Sequence, residues 1–419
     1  MLIYFLLIYI ASLWNKKARL LCRGQKNAIP QLKQARQEGS WIWFHAASVG
    51  EFEQGRPVIE RLRKEQPHKK ILLTFFSPSG YELHKNYTGA DLVMYLPFAT
   101  RRNAGRFLDI LQPEKAVFIK YEYWPAYLRE LRKRGIETYS IASVFRKEQF
   151  FFRPLIGRPY RQLLGCFTRL LVQDEAYRKL LAQYGITNTV VTGDPRFKRV
   201  AQIAQSAEEI PLVDRFVNGM PEHKTGSEGL TLRSKVLVAG STWLPDEELI
   251  VRYINRHQDT RLILVPHETD EKHLHNIFQL TEGRYIRLTQ ANMKNADTCR
   301  ILVVDTVGML SRIYRYANVA YIGGGFGAGI HNTLEPAAYG IPVVWGKNYK
   351  RFREAKGLIE AGAGIAVSNY QELEQALDTA FLNAADMGQK ALQFVLSETD
   401  AADKIFQEKI GRASCRERV

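Results

Sequence analysis

A chain of 419 residues is long enough for two or three domains, and its 46% hydrophobic and 24% charged residues are ordinary globular values that exclude a disordered, collagen-like or small disulfide-stapled protein. The four cysteines, Cys22, Cys166, Cys299 and Cys415, form no C-x-x-C pair, which argues against structural zinc and fits a reducing compartment. The 59 Lys and Arg outnumber the 43 Asp and Glu to give +16, which favours an anionic partner: nucleic acid, a phospholipid surface or a phosphorylated substrate.

The chain opens on MLIYFLLIYIASLW, apolar except for Ser12, and then turns basic at Lys16, Lys17, Arg19, Arg23 and Lys26, with no acid before Glu38. A secretory signal places its positive charges before the apolar run, so this order predicts an uncleaved segment. Fourteen helical residues span about 21 Å, against about 30 Å for a bilayer core. Residues 1–26 are therefore read as a membrane anchor with a basic flank, either a short span with the flank in the cytoplasm or a helix lying in the inner leaflet. A helix buried in the protein is the bland alternative.

Short apolar runs then alternate with helical stretches. Trp41–Phe44, Ile71–Phe76, Ala116–Ile119, Thr138–Ile141 and Leu170–Val172 predict buried strands, with helices at Pro57–Glu65 and Pro125–Arg134. Residues 205–234 break the rhythm with Pro211, Pro221 and the polar run from Glu222 to Gly229, and predict a linker. The rhythm resumes at Lys235–Ala239, Arg261–Val265, Ile301–Val304, Val319–Ile322 and Pro342–Trp345. The expectation is two doubly wound, Rossmann-like α/β domains, 27–204 and 235–409, facing across a cleft with ligands at the carboxyl ends of the strands. The last ten residues, IGRASCRERV, read as a translated sequencing adapter, so 410–419 are set apart and the natural chain is expected to run to about Lys409.

Two loops carry candidate chemistry. The first strand runs into His45-Ala-Ala-Ser48-Val-Gly50-Glu51, in which Ser48 and Gly50 are expected to let the backbone turn and Glu51 to sit at a helix start. Glu51 is either a first-turn acid favoured by the helix dipole or a general base for a substrate hydroxyl. The second loop, Gly323-Gly324-Gly325-Phe-Gly-Ala-Gly-Ile-His331-Asn332-Thr-Leu-Glu335-Pro, follows a strand and leads into a helix. Its amides, those of Gly324 and Gly325 among them, suggest a phosphate cradle, although neither a P-loop nor a full G-x-G-x-x-G spacing is present. Asn332 and Glu335, three apart, are expected on one helical face, with Glu335 suited to accept bonds from sugar hydroxyls.

These segments resemble the Kdo (3-deoxy-D-manno-octulosonic acid) transferases of Gram-negative bacteria. The resemblance runs through the short N-terminal anchor, Ser48–Glu51, the Thr74 to Glu82 segment with Ser77-Pro-Ser-Gly80, Glu122-Tyr-Trp-Pro125, Thr192-Gly-Asp194, Gly240-Ser-Thr242, Asp305-Thr-Val-Gly308 and, most specifically, Gly329–Pro336. It implies the two-domain GT-B fold, a CMP-Kdo donor, a lipid A precursor as acceptor, and a place on the cytoplasmic face of the inner membrane. It implies an acceptor-binding N-terminal domain and a CMP-sugar-binding C-terminal one. Glu51 matches the family's catalytic base; Ser241, Thr242, Asn332 and Glu335 match positions near CMP; Glu122 falls in a cleft motif. Two positions depart from the common pattern: Ala328-Gly-Ile-His-Asn332 where Gly-Gly-His-Asn is frequent, and Trp243 where His often follows Ser-Thr.

No metal or other cofactor is called for, since glycine-loop amides and the candidate cations Arg196, Lys198, Lys347 and Arg351 are suited to the charge on departing CMP. His267, at a strand end, is a candidate nucleotide contact; with Glu268, His273 and His275 it lacks metal-site spacing. Arg129, Arg132, Lys133 and Arg134 read as a solvated helix face, and aromatics do not interleave with basic residues as in a nucleic-acid binder. The alternatives to Kdo transfer are a GT-B enzyme with a different nucleotide-sugar donor and a non-catalytic basic membrane-surface protein.

Overall fold

The fold comes from a computed structural model that describes residues 2–154, 157–219 and 235–410. It divides into two units, one formed by Met1–Arg199 with Thr399–Val419 and the other by Val200–Glu398. Each unit holds one seven-stranded parallel sheet.

In the first unit the strands are β1 (Trp41–Ala46), β2 (Lys70–Phe75), β3 (Leu92–Tyr95), β4 (Lys115–Ile119), β5 (Glu137–Ser143), β6 (Arg169–Val172) and β7 (Thr189–Val191), in the order β3-β2-β1-β4-β5-β6-β7. Each of β1 and β4 is buried at every residue, as a parallel strand covered on both faces must be. One face packs under helices Lys16–Ala35, Arg101–Leu111, Pro125–Lys133 and Gly157–Leu164 through Leu32, Phe107, Leu128 and Leu164. The other packs under helix Val49–Glu65 and the closing segment Ala401–Ile410 through Phe52, Leu62, Ile405 and Phe406. That return of the chain to the first unit leaves no mark in the strand–helix rhythm. Ile410, expected within the appended stretch, is fully buried there, while residues 411–419 lie outside the described residues.

The second unit has β8 (Lys235–Thr242), β9 (Thr260–Pro266), β10 (Ile286–Arg287), β11 (Ile301–Val303), β12 (Val319–Ile322), β13 (Val343–Gly346) and β14 (Gly364–Val367), ordered β10-β11-β9-β8-β12-β13-β14. Its core joins Leu237, Leu264, Tyr321 and Val344 of the strands to Ile250, Tyr253, Leu274 and Leu377 of the covering helices.

Several expectations need correction. The helix expected at Pro57 starts at Val49 and passes through that proline. The expected linker contains a helix, Pro211–Asn218, because Pro211 occupies the first turn, where its missing N–H costs nothing. Val213 and Phe216 of that helix are buried; the polar run from Glu222 to Gly229 lies outside the described residues. At the N-terminus, helix Leu2–Ala11 is followed by helix Lys16–Ala35, which begins within the expected anchor segment yet buries Leu21, Gln25, Ala28 and Leu32. No described helix is long and apolar enough to cross a membrane.

Candidate functional site

In a doubly wound sheet the crevice opens where neighbouring strands lead off in opposite directions. In the first unit that point lies between β1 and β4, and in the second between β8 and β12. The candidate residues cluster at these two places.

Past β1, Ser48 caps the Val49–Glu65 helix in extended conformation, and its hydroxyl donates to the Glu51 carboxylate in the first turn. Glu51 is half-buried, placed where the helix dipole favours its anion. Gly50 is itself helical and an added Cβ would meet only Ser48 Oγ at 4.0 Å, so the turn does not depend on it, contrary to the expectation.

Glu122, past β4, accepts from Trp124 Nε1 at 2.6 Å and lies 3.1 Å from His45 Nε2 at the end of β1. His45 is fully buried, with Nδ1 2.9 Å from Thr74 Oγ1, which in turn accepts from Trp43 Nε1 at 2.8 Å. The chain β2–β1–Glu122–Trp124 thus ties the two switch-point strands together. Thr74 and Trp124 stand in segments that carry the resemblance, but neither they nor His45 were proposed as site residues; for His45 the available signal was a lone histidine closing an otherwise apolar run. Glu122 and Trp124 also edge a cavity of about 440 Å³ with Arg146 and Phe150.

In the second unit Ser241 has φ +55°, a left-handed conformation on a β-branch-free but non-glycine residue, at the bulge where β8 leaves β9. Such conformations persist only when the surroundings over-determine them, and here Gly323 supplies the constraint: a Cβ on it would sit 2.3 Å from Ser241 O. Gly325 is held as closely: a Cβ on it would sit 2.5 Å from Gly346 Cα. The amide of Gly324 is engaged, donating to Asp246 at 2.9 Å, so its place in the loop is to bind that carboxylate rather than to face outward. Asp246 is 1% exposed and also accepts from Trp243 N and Tyr321 Oη. Burial pushes its pKa up against the pull of those donors. Thr242 is fully buried and its hydroxyl donates to Glu247 at 2.9 Å, which makes it a support for the strand end.

Above these supports three rings stack. His267 stacks on Trp243, with centroids 4.7 Å apart, and on His331, at 4.5 Å. Trp243 Nε1 donates to His331 Nε2 at 3.3 Å. Burial, with His267 alongside, lowers the His331 pKa to about 4, so this imidazole is neutral at ordinary pH. Asn332 and Glu335 do meet, through Asn332 Nδ2 and Glu335 Oε1 at 2.9 Å, but not along one helix face: Asn332 precedes the short helix Leu334–Ala337 and caps Leu334 N with its oxygen.

Of the candidate cations, Arg196 forks onto the buried Asp194, Lys198 pairs with Asp403, and Arg351 bonds Ala328 O. Lys347 is exposed. Burial raises the Asp194 carboxyl but Arg196 overrides it, leaving the group below its ordinary range. His273 binds Glu247 and His275 lies against Gln279; among the described residues no three metal-ligating side chains converge.

Two doubly wound parallel units with candidate sites at their switch points define the GT-B fold. Solved structures agree: UDP-GlcNAc 2-epimerase from Neisseria meningitidis (TM-score 0.61, 12% identity, 88% of this chain and 99% of that one) and a glycosyltransferase from Rickettsia africae (0.61, 12%, 90% and 98%) share it. Residues 18–199 match the family described as 3-deoxy-D-manno-octulosonic-acid transferase (kdotransferase). Enzymes named 3-deoxy-D-manno-octulosonic acid transferase from Chlamydia pneumoniae (27% identity, 88% of this chain, 84% of theirs) and Aquifex aeolicus (25%, 79% and 83%) align with most of the chain. Residues 18–199 thus carry a Kdo transferase family domain, and most of the chain aligns with glycosyltransferases of that name.

Proposed function

We propose that the chain transfers Kdo from CMP-Kdo to a lipid A precursor at the cytoplasmic face of the inner membrane, with inversion at the anomeric carbon. The observation that carries the reading is a half-buried carboxylate, Glu51, at the switch point of the unit that matches the Kdo transferase family. In this reading the first unit receives the acceptor and the second the CMP-sugar. Glu51 takes the proton of the acceptor hydroxyl, the oxygen bonds to the anomeric carbon, and the bond from that carbon to the CMP phosphate oxygen breaks. Ser48 orients Glu51. In the second unit the Trp243–His267–His331 stack offers flat faces to a base, and the Asn332–Glu335 pair faces the ribose hydroxyls.

The membrane part rests on the exposed apolar side chains Leu7, Tyr9, Ile10, Leu13 and Trp14. Ten helical residues reach only about 15 Å, so this helix is read as lying in one leaflet rather than spanning the bilayer.

The test is incubation with CMP-Kdo and the lipid A precursor, read by mass spectrometry, for wild type and Glu51→Gln. The substitution keeps shape and removes the base, so turnover should fall roughly 10²–10⁴-fold while CMP affinity stays within error. Product formation within tenfold of wild type rules out the general-base role; no product from the wild-type chain, with a melting shift given by UDP and not CMP, moves the donor to another nucleotide sugar.

A further inference from the structure

A second cavity of the first unit, about 620 Å³, lies where the two N-terminal helices meet helix Arg101–Leu111. Four cations line it, Arg19, Arg23, Lys26 and Arg106, and no acid does. Arg19 is committed to the carbonyls that end the first helix, Ser12 O at 3.1 Å and Leu13 O at 2.9 Å. Arg23, Lys26 and Arg106 have no ion-pair partner among the described residues. The charge is therefore concentrated rather than neutralised, which an anion entering the cavity would offset. Gln25, in the same wall, is 3% exposed and its side-chain oxygen has no hydrogen-bond partner.

We infer that this cavity binds the headgroup of one anionic phospholipid. Guanidinium forks suit a phosphodiester. A zwitterionic headgroup would bring an ammonium among four cations and is disfavoured. The source is a lipid rather than free phosphate because the first helix and the turn after it, which contribute Tyr9 and Ser12 to the cavity, expose Leu7, Ile10, Leu13 and Trp14, an apolar surface for acyl chains. The inference deepens the membrane reading above: a discrete site orders the enzyme on the bilayer, beyond general attraction to negative charge.

The experiment uses the full chain, nanodiscs of phosphatidylcholine with or without phosphatidylglycerol, and native mass spectrometry of the lipid retained after detergent release. Wild type should retain one phosphatidylglycerol per chain in preference to phosphatidylcholine. Arg23→Gln with Arg106→Gln should weaken that retention at least about tenfold, whereas Lys16→Gln with Lys17→Gln, the same charge change on the same helix but outside the cavity, should leave it nearly unchanged, since diffuse attraction assigns every cation about the same effect. Arg106→Lys, which keeps the charge and the fold, should retain most of what Arg106→Gln loses. Equal weakening by both double variants, no weakening by either, or displacement of the lipid by millimolar inorganic phosphate overturns the site. Vesicle flotation separates the two readings: variants that still float while losing the retained lipid support the site, and equal lipid retention by floating variants overturns it with membrane association intact. A wild type that neither floats nor retains lipid overturns both.

Discussion

His331 shows how a side chain's surroundings set its proton. Its Nε2 accepts from Trp243 and its ring stacks on His267, so an added proton would place two donors face to face and a charge beside a second imidazole. With the folded pKa lowered to about 4 from 6.5, the unfolded chain binds more protons than the native one across that window. Stability of the second unit should therefore decline as pH falls from about 6.5 towards 4 and level off below it. Denaturant melts of wild type and His331→Gln should show the slope in the first and a flatter profile in the second, and an imidazole NMR titration with a midpoint at or above 6.5 would sink the argument. Glu335 gives a second residue-level expectation. If it accepts from the ribose of CMP, Glu335→Ala should weaken CMP binding by about 1.5–3 kcal/mol, the range for bonds to charged groups. Unchanged affinity by calorimetry would leave Glu335 the smaller task of orienting Asn332. Both residues stand in a motif that the resemblance marked, but the ring stack was not legible, because its members come from three loops widely separated in sequence.

At the scale of elements, the strands read from apolar runs are the interior strands of both sheets. The four that escaped, β3, β7, β10 and β14, are the edges of the two sheets. Edge strands are short and partly exposed, so two to four residues carry no periodic signal. Proline misled twice for one reason: Pro57 and Pro211 both lie within helices, one in the interior and one at the start, and a single sequence does not separate these positions from a break. The glycine loop was legible as a feature but not in its purpose. Its first glycines serve close backbone approach, with Gly324 bound to Asp246. Gly323→Ala would press a methyl against the Ser241 and Thr242 backbone, which cannot rotate away as a side chain can. The expected loss is at least about 3 kcal/mol, the upper end for overpacking, together with loss of CMP binding. Gly327→Ala, whose Cβ would meet only Gly324 O at 3.7 Å, should stay within about 0.5 kcal/mol. Equal melting temperatures for the two variants would contradict this division of the loop.

For the whole molecule, the membrane reading depends on which part of the N-terminus belongs to the fold. Helix Lys16–Ala35 does belong: Leu21 and Leu32 are buried, and a Cβ on Gly24 would collide with the Tyr95 ring. Removing residues 1–26 would strip Leu21 from that packing and confuse anchorage with stability. Removing residues 1–14 takes away the apolar helix and leaves the N-cap Asn15, whose side chain accepts from Lys17 and Ala18 amides. The shortened chain should melt within a few degrees of the full one and move from the membrane to the soluble fraction. In the proposed reaction its apparent KM for the lipid acceptor should rise more than that for CMP-Kdo, because there only the acceptor is met at the bilayer. Salt discriminates between the two forces. Attraction by Lys16, Lys17, Arg23 and Lys26 is screened within about 3 Å at 1 M ionic strength, whereas burial of Leu13 and Trp14, the latter 78% exposed in the free protein, is not. Full-length protein should therefore remain on vesicles in about 1 M salt, and the chain lacking residues 1–14 should wash off. If the full-length protein washes off as well, the contact is electrostatic alone and the first helix does not enter the leaflet.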